Sequence, residues 1–288
     1  MKILAAAVQM PAELARLDAN LERADASLAE ASRAGAELAV LPEMFNTGYG
    51  LLPDYAPHAE ETDGPTLRHL SGRSRQWRMG IVAGFVERVG RHFYDALVVC
   101  LPDGSVRTYR KRHLVFWERF RFRPGRCPLI VPTPWGRIGL AICADMIYRD
   151  VWDDYRGRID LSVIASAWPD FACRHNGHKH WLFGRIGPLA AEIPARVARD
   201  LGVPVIFANQ CGATCTTIPV LGLRITQRIE DRFAGRSSIC DGLHAPPVIA
   251  GAEAQLILAQ VTIHDPRRPL SCDSMSPSVP VVSSSASA

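Results

Sequence analysis

Lys2-Ile3-Leu4-Ala5-Ala6-Ala7-Val8 opens the chain, and Glu37-Leu38-Ala39-Val40-Leu41 follows after one helix-length segment. Each is a nearly continuous apolar run of strand length, the pattern of a strand covered on both faces. Between them Leu17, Leu21, Ala24, Leu28 and Ala31 recur at helical spacing, and Gly35 stands just past the end. Strand, helix and strand within the first 42 residues predict a sheet with covering helices.

Working outward, the same punctuation recurs. Gly139-Leu140-Ala141-Ile142 is another apolar run, and it ends at Cys143-Ala144-Asp145. Residues 136–142 and 159–165 read as buried strands, the second ending at Ser166-Ala167-Trp168-Pro169. Residues 203–208 read as a third, ending at Asn209-Gln210. Residues 149–157 and 188–201 read as helices, the latter in spite of Pro194. In the middle, 79–88 and 92–101 flank the turn Val89-Gly90-Arg91, and Pro102-Asp103-Gly104 leads into 106–110. Strands at 236–240, 248–251 and 255–263 close the ordered part. These elements predict an α/β fold of mixed sheets with helices outside. No internal repeat is visible. Ser and Pro dominate from Pro266 onward, so 1–265 reads as the folded domain and 266–288 as a disordered tail.

With 288 residues, 48% of them hydrophobic, the chain can bury a large core. Its 33 basic and 29 acidic residues are too balanced to imply nucleic acid or an anionic membrane as partner. The apolar start is broken by Gln9 and reads as a first strand rather than a leader. No apolar run approaches the roughly 20 residues of a membrane span. The eight cysteines show no repeating spacing and no CxxC pair, which suits reduced thiols in a cytoplasmic protein.

Three residues stand out at run ends. Glu43 follows Leu41-Pro42, with Gly48, Tyr49 and Gly50 marking a tight loop after it. Lys111 lies in Tyr109-Arg110-Lys111-Arg112-His113-Leu114. Cys143 precedes Asp145 and Tyr148-Arg149-Asp150, so the strand ends there and the thiol is expected at a rim. A helix starting just after it would favour the thiolate and make Cys143 the first thiol to be alkylated. Singly, a strand cysteine is inert packing and a lysine in a basic run is a solvated face. Meeting at one sheet edge, thiol, carboxylate and amine supply a nucleophile, a base and an oxyanion stabiliser.

Glu43-Met44-Phe45, the Lys111 block and Cys143-Ala144-Asp145 resemble, in order and spacing, the three motif blocks of the nitrilase (carbon–nitrogen hydrolase) superfamily. The resemblance runs from the first strand to about Ile263. It includes Ser166-Ala167-Trp168-Pro169, Ala208-Asn209-Gln210-Cys211-Gly212 and Gly235-Arg236-Ser237-Ser238-Ile239-Cys240-Asp241. It implies a four-layer α-β-β-α sandwich, with Glu43 as general base, Lys111 as stabiliser of the tetrahedral intermediate and Cys143 as nucleophile. Glu118, ahead of Pro124-Gly125, matches a second glutamate of the family and is expected to orient Lys111 and the substrate nitrogen. The implied reaction is hydrolysis of a small amide through a Cys143 thioester, without metal or organic cofactor. Ala144, Met146, Tyr49 and Trp168 are the expected substrate contacts. The family also implies a homodimer or larger homo-oligomer through the helix after the nucleophile, where Val151 and Trp152 fit a partly buried face.

Some features stand outside that frame. Cys173, His175, His178 and His180 match no standard zinc spacing and read as a loop at the pocket mouth. Arg119, Arg121, Arg123 and Arg126 alternate with Phe120 and Phe122, which suits an acidic substrate group or subunit neighbour better than nucleic acid. Met146 and Ile147 stand where carbamoyl-amino-acid hydrolases place carboxylate-binding arginines, so a neutral acyl group is expected, with Arg149 the remaining anion candidate. Asp145, where true nitrilases usually carry Glu, tilts the reading from nitrile to amide. Nitrile or N-carbamoyl hydrolysis, and acyl transfer from the same thioester to an amine, remain open on these residues.

Overall fold

Strand β1 (Lys2–Gln9) sends alternate side chains to opposite faces, and both faces meet apolar cores. Ile3, Ala5 and Ala7 enter a core shared by two sheets, while Ala6 and Val8 enter a second core with Ala24, Leu28 and Ala31 of helix α1 (Leu17–Arg33). β2 (Leu38–Val40) repeats the division, Leu38 and Val40 going one way and Ala39 the other. Burial on both faces is why these runs are apolar without alternation.

The computed structural model describes residues 1–50, 54–115, 117–170, 174–175, 178–179, 186–219, 226–242 and 246–263. After β2 come α2 (Pro65–Trp77), β3 (Gly80–Val89), β4 (His92–Cys100), β5 (Val106–Arg110) and the single turn α3 (Glu118–Arg121). Then follow β6 (Ile130–Thr133), β7 (Gly136–Ile142), a 3-10 turn (Cys143–Ile147), α4 (Arg149–Tyr155) and β8 (Leu161–Ser166). A short hairpin, β9 (Arg174–His175) and β10 (His178–Lys179), precedes α5 (Ile186–Leu201), which runs through Pro194, and β11 (Val205–Asn209). A second hairpin, β12 (Ala213–Pro219) and β13 (Thr226–Arg232), precedes β14 (Ser238–Cys240), β15 (Val248–Ile249) and β16 (Gln255–Thr262). The segment 266–288 lies outside the described residues.

Two six-stranded sheets pack face to face with helices around them, the expected α-β-β-α sandwich. One has the order β5-β4-β3-β2-β1-β16, the other β15-β14-β11-β8-β7-β6. Both read, along that order, two antiparallel pairings, two parallel and one antiparallel. The chain thus builds one five-strand order twice, β1 to β5 and β7, β8, β11, β14 and β15, with the sixth strand last in the chain for one sheet and before the other five for the other, although the sequence shows no repeat. Topology needs only apolar runs in the same order, and different side chains fill them equally well. Two of the elements not anticipated from the sequence show why. α2 is mostly polar and buries only Leu67 and Leu70 among its apolar residues, while β6 is four residues long and holds Pro132.

Candidate active site

Glu43 sits just beyond β2, and its backbone is fixed before its side chain does anything. The Glu43 carbonyl accepts from Gln210 Nε2 at 2.8 Å, and Met44 beside it takes a positive φ of 47°. β3 passes beneath with Gly84, where a Cβ would lie 2.5 Å from the Glu43 Cα. Only glycine permits that approach. The Glu43 carboxylate accepts the Ala167 N–H at 2.6 Å on Oε2 and the Lys111 ammonium at 2.6 Å on Oε1.

Lys111 is the first residue after β5. Its N–H donates to the Asp95 carbonyl at 2.8 Å and its carbonyl accepts from Gly125 at 2.7 Å. Its side chain is fully buried, with Nζ 2.7 Å from Glu118 Oε1 and 3.1 Å from Asp95 Oδ2. Burial alone would depress this lysine, but the carboxylates of Glu118, Glu43 and Asp95 outweigh it and hold the ammonium well above its ordinary range. Glu118 opens α3. It pairs with Lys111 rather than with Arg119 or Arg121, and it also accepts from the Tyr49 hydroxyl at 2.7 Å and the Val115 N–H at 3.0 Å.

Cys143 follows β7 and opens the 3-10 turn with a φ of +45°, a left-handed backbone that a cysteine holds only at a cost. That turn is anchored by Asp145. Its carboxylate accepts from the Tyr109 hydroxyl at 2.8 Å, the His113 N–H at 2.8 Å and the Ile142 N–H at 3.1 Å. One buried carboxylate therefore ties the lysine segment to the nucleophile turn. The Cys143 thiol feels Glu43, Lys111 and Glu118, with the Ser166 hydroxyl beside it. Sequence reasoning placed the thiol at a rim and favoured thiolate. The structure corrects both, since Cys143 is only 5% exposed and burial, reinforced by Glu43, pushes the thiol well up. The turn after it is too short to offer a helix dipole large enough to reverse that. Among the described cysteines, Cys127 is the exposed one and the more accessible thiol for a general alkylating reagent.

The structure brings Glu43, Lys111, Glu118 and Cys143 together, and adds Asp95, Ser166 and Tyr109, which sequence reasoning missed. Asp95 lies on β4 in His92-Phe93-Tyr94-Asp95-Ala96-Leu97, where the only signal is a single acid in an apolar strand. Among the expected substrate contacts, Ala144 and Met146 are buried in the nucleophile turn. The Tyr49 hydroxyl is engaged by Glu118, and its ring centroid lies 5.9 Å from Lys111 Nζ. The Trp168 indole donates to the Ile186 carbonyl at 2.7 Å. Arg149 does not face the site. It is 76% exposed and pairs with Asp153 at 3.2 Å. Val151 and Trp152 are buried inside the chain itself, so they present no face to a second subunit.

Among the described residues, Glu43, Asp95 and Glu118 have carboxylate oxygens within 4.8 Å of one another, close enough to suit a metal. The cation they surround is the Lys111 ammonium. The side chains of the Cys173, His175, His178 and His180 segment lie outside the described residues. The arginine-rich loop lines an open groove of about 600 Å³ with Arg91, Arg112, Arg119, Arg121 and Arg123, and none of the site residues reaches it. No described helix is long and apolar enough to cross a membrane.

Known proteins resemble this chain in sequence and in fold. A nitrilase from Pyrococcus abyssi is 34% identical over 152 residues, 51% of this chain and 58% of the relative. An omega-amidase NIT2 from Bos taurus is 33% identical over 164 residues, 52% of this chain and 57% of the relative. The chain thus spans somewhat over half the length of these curated relatives. Among solved structures, the carbon–nitrogen hydrolase superfamily protein XC1258 from Xanthomonas campestris shares the fold at a TM-score of 0.73 and 21% identity, with 91% of each chain covered. An amidase from Nesterenkonia sp. AN1 does so at 0.70 and 21%, covering 91% of this chain and 93% of its own. The profile of the carbon-nitrogen hydrolase family matches residues 4–265, and the chain belongs to that family.

Proposed function

We propose that this protein is a thiol-dependent amidase that cleaves a non-peptide carbon–nitrogen bond through a thioester on Cys143. One observation carries the reading: a fully buried Lys111 ammonium bridges Glu43 at 2.6 Å and Glu118 at 2.7 Å within electrostatic reach of the Cys143 thiol. The resting thiol is neutral because burial raises it, so a base must take its proton as substrate arrives. Glu43 takes it, and the sulfur attacks the amide carbon. Lys111 and the Ala144 N–H hold the tetrahedral oxyanion, each such donor being worth about 3–4 kcal/mol of barrier. Glu43 returns the proton to the departing ammonia or amine, leaving the thioester. Water then gives a proton to Glu43 and attacks the acyl carbon, and the proton passes back to the Cys143 sulfur as the carboxylic acid leaves. Glu118 orients Lys111 in this scheme.

The preferred acyl group is small and neutral, because Met146 fills the turn after the nucleophile and Arg149 points to solvent. The omega-amidase name of the bovine relative supports an amide, while the Pyrococcus abyssi relative is named a nitrilase, so the amide reading rests on Asp145 and a nitrile belongs in the test panel. The five described cysteines are free, which supports a reducing, cytoplasmic setting. Exposed Ile147 and Phe120 offer apolar surface for a homodimer, and light scattering should give a mass above the 31.6 kDa of one chain.

The test is incubation with a panel of neutral aliphatic amides and a nitrile, following ammonia release and the mass of protein trapped at low pH. Ammonia and a Cys143 adduct are expected from wild type and neither from Cys143→Ala. Absence of both from wild type across the amides overturns the proposal. Adding an amine separates hydrolysis from acyl transfer, since transfer yields a new amide in place of the acid. An N-carbamoyl amino acid of similar size should be the poorer substrate by kcat/KM.

A further inference from the structure

The site holds more acid than its single cation can neutralise. Glu43, Asp95 and Glu118 are all fully buried around Lys111. Three carboxylates and one ammonium would leave two net negative charges without water, which the interior does not tolerate. One acid must carry a proton, and the hydrogen bonds identify it. Glu118 accepts from Lys111, Tyr49 and Val115, three donors that suit a carboxylate. Glu43 accepts from Lys111 and Ala167. Among the described residues, Asp95 accepts a well-aligned hydrogen bond on neither oxygen, and the donor that approaches it is Lys111 Nζ at 3.1 Å. One oxygen of its carboxyl instead lies within 4.8 Å of one from Glu43 and one from Glu118, and of these two Glu43 acts on it more strongly. Buried carboxyl groups packed this closely share a proton.

We infer that Asp95 is a neutral carboxylic acid that donates its hydrogen to Glu43, making it the third donor that holds the base in place and a positioning residue for the reaction. Burial first, and the Glu43 carboxylate second, push Asp95 well above the usual carboxylate range, in agreement. The groups facing Asp95 are Glu43 from the segment after β2, Lys111 after β5 and Glu118 from α3, with Cys143 beyond them. The strand pairing fixes the arrangement. Asp95 donates no backbone flexibility to the site, since β4 is hydrogen-bonded on both sides and the Asp95 carbonyl itself receives the Lys111 N–H at 2.8 Å.

The inference rests on Glu43 acting as the base, and the experiment separates the two. Infrared difference spectra of the whole protein near neutral pH should show the C=O band of a protonated carboxyl that disappears in Asp95→Asn. This measurement needs no turnover, so it decides the proton even if no amide is cleaved. In the amidase assay Asp95→Asn, whose amide keeps a donor in the same shape, should hold kcat within about threefold. Asp95→Ala, which removes the donor, should lose about tenfold or more in kcat at little changed KM. A band that is missing from wild type, or that survives in Asp95→Asn, overturns the inference. So does an Asp95→Asn variant as slow as Asp95→Ala, because a charge rather than a donor would then be what matters.

Discussion

The two halves of the molecule share a topology and divide the chemistry. The first, β1 to β5, supplies Glu43, Asp95 and Lys111, whose protonation states are mutually dependent. The second, β7 to β15, supplies Cys143, Ser166 and the Ala167 N–H, which are neutral at rest. The cores are alike, but one half carries a buried ionic cluster and the other a thiol in a strained turn. Removing a member of the cluster should therefore cost the fold as well as the reaction. Removing the thiol should cost the reaction alone.

Lys111→Met breaks the comparison most severely. It leaves Glu43, Asp95 and Glu118 buried without their cation. Stripping one partner from a buried pair typically costs about 3–5 kcal/mol. Chemical denaturation should show that loss, and amide turnover should vanish. Cys143→Ala should abolish turnover equally while shifting stability by only about 1 kcal/mol, as a small change at a buried site does. Equal destabilisation by the two variants would refute the division.

The next test touches no reacting group. Gly84→Ala in β3 would drive a methyl against backbone, with Glu43 Cα at 2.5 Å, Pro42 O at 2.6 Å and Met44 N at 2.7 Å. Backbone cannot step aside, so about 1–3 kcal/mol of stability and much of kcat should go together. Gly139→Ala in β7 of the other half meets only side chains, Ile159 at 2.8 Å and Tyr155 at 3.2 Å. Those can rotate, and the thiol is not displaced, so activity should be largely kept. Thermal melts and kcat for the pair decide it.

The contrast also explains what could be read from the chain beforehand. The central strands of both halves were legible because burial on two faces leaves continuous apolar runs, unlike β6 and the two hairpins. Glu43, Lys111 and Cys143 were legible because each interrupts or follows such a run and matches a family block in order. Asp95 was not, because a lone acid near the start of an apolar strand reads as a solvated strand end, and its burial comes from the packed Glu43, Lys111 and Glu118 side chains. Asp145 was seen as a polar residue at a strand end. Its clamp on the Lys111 segment depends on donors from Tyr109 and His113, far away in sequence. The burial of Cys143 was not legible, because sequence shows which residues neighbour a thiol but not how much water reaches it.

The smallest effect concerns how each half fastens its outer helices. α1 is clasped to α2 by Asp25, which accepts from Arg73 at 2.7 and 2.9 Å and faces His69 Nε2 at 2.8 Å. α4 is tied to α5 by Arg156, which donates to the Asp200 carbonyl at 2.7 Å. Only the first clasp contains a group that titrates in acid. Partial burial would raise Asp25, but the Arg73 and His69 contacts outweigh it and lower its pKa in the folded protein. The sign follows from linkage: an acid depressed by folding adds stability above its unfolded pKa, and that stability is lost as pH falls through the depressed value. Asp25→Asn should therefore cost under about 1 kcal/mol at neutral pH, as semi-exposed ion pairs do, and the cost should fade on acidification. Arg156→Ala should lower stability by a similar or smaller amount with no change in its pH dependence, because a carbonyl does not titrate. Denaturation curves for both variants at neutral and acid pH test this, and a pH-independent loss in Asp25→Asn would show that the first clasp is held by packing rather than charge.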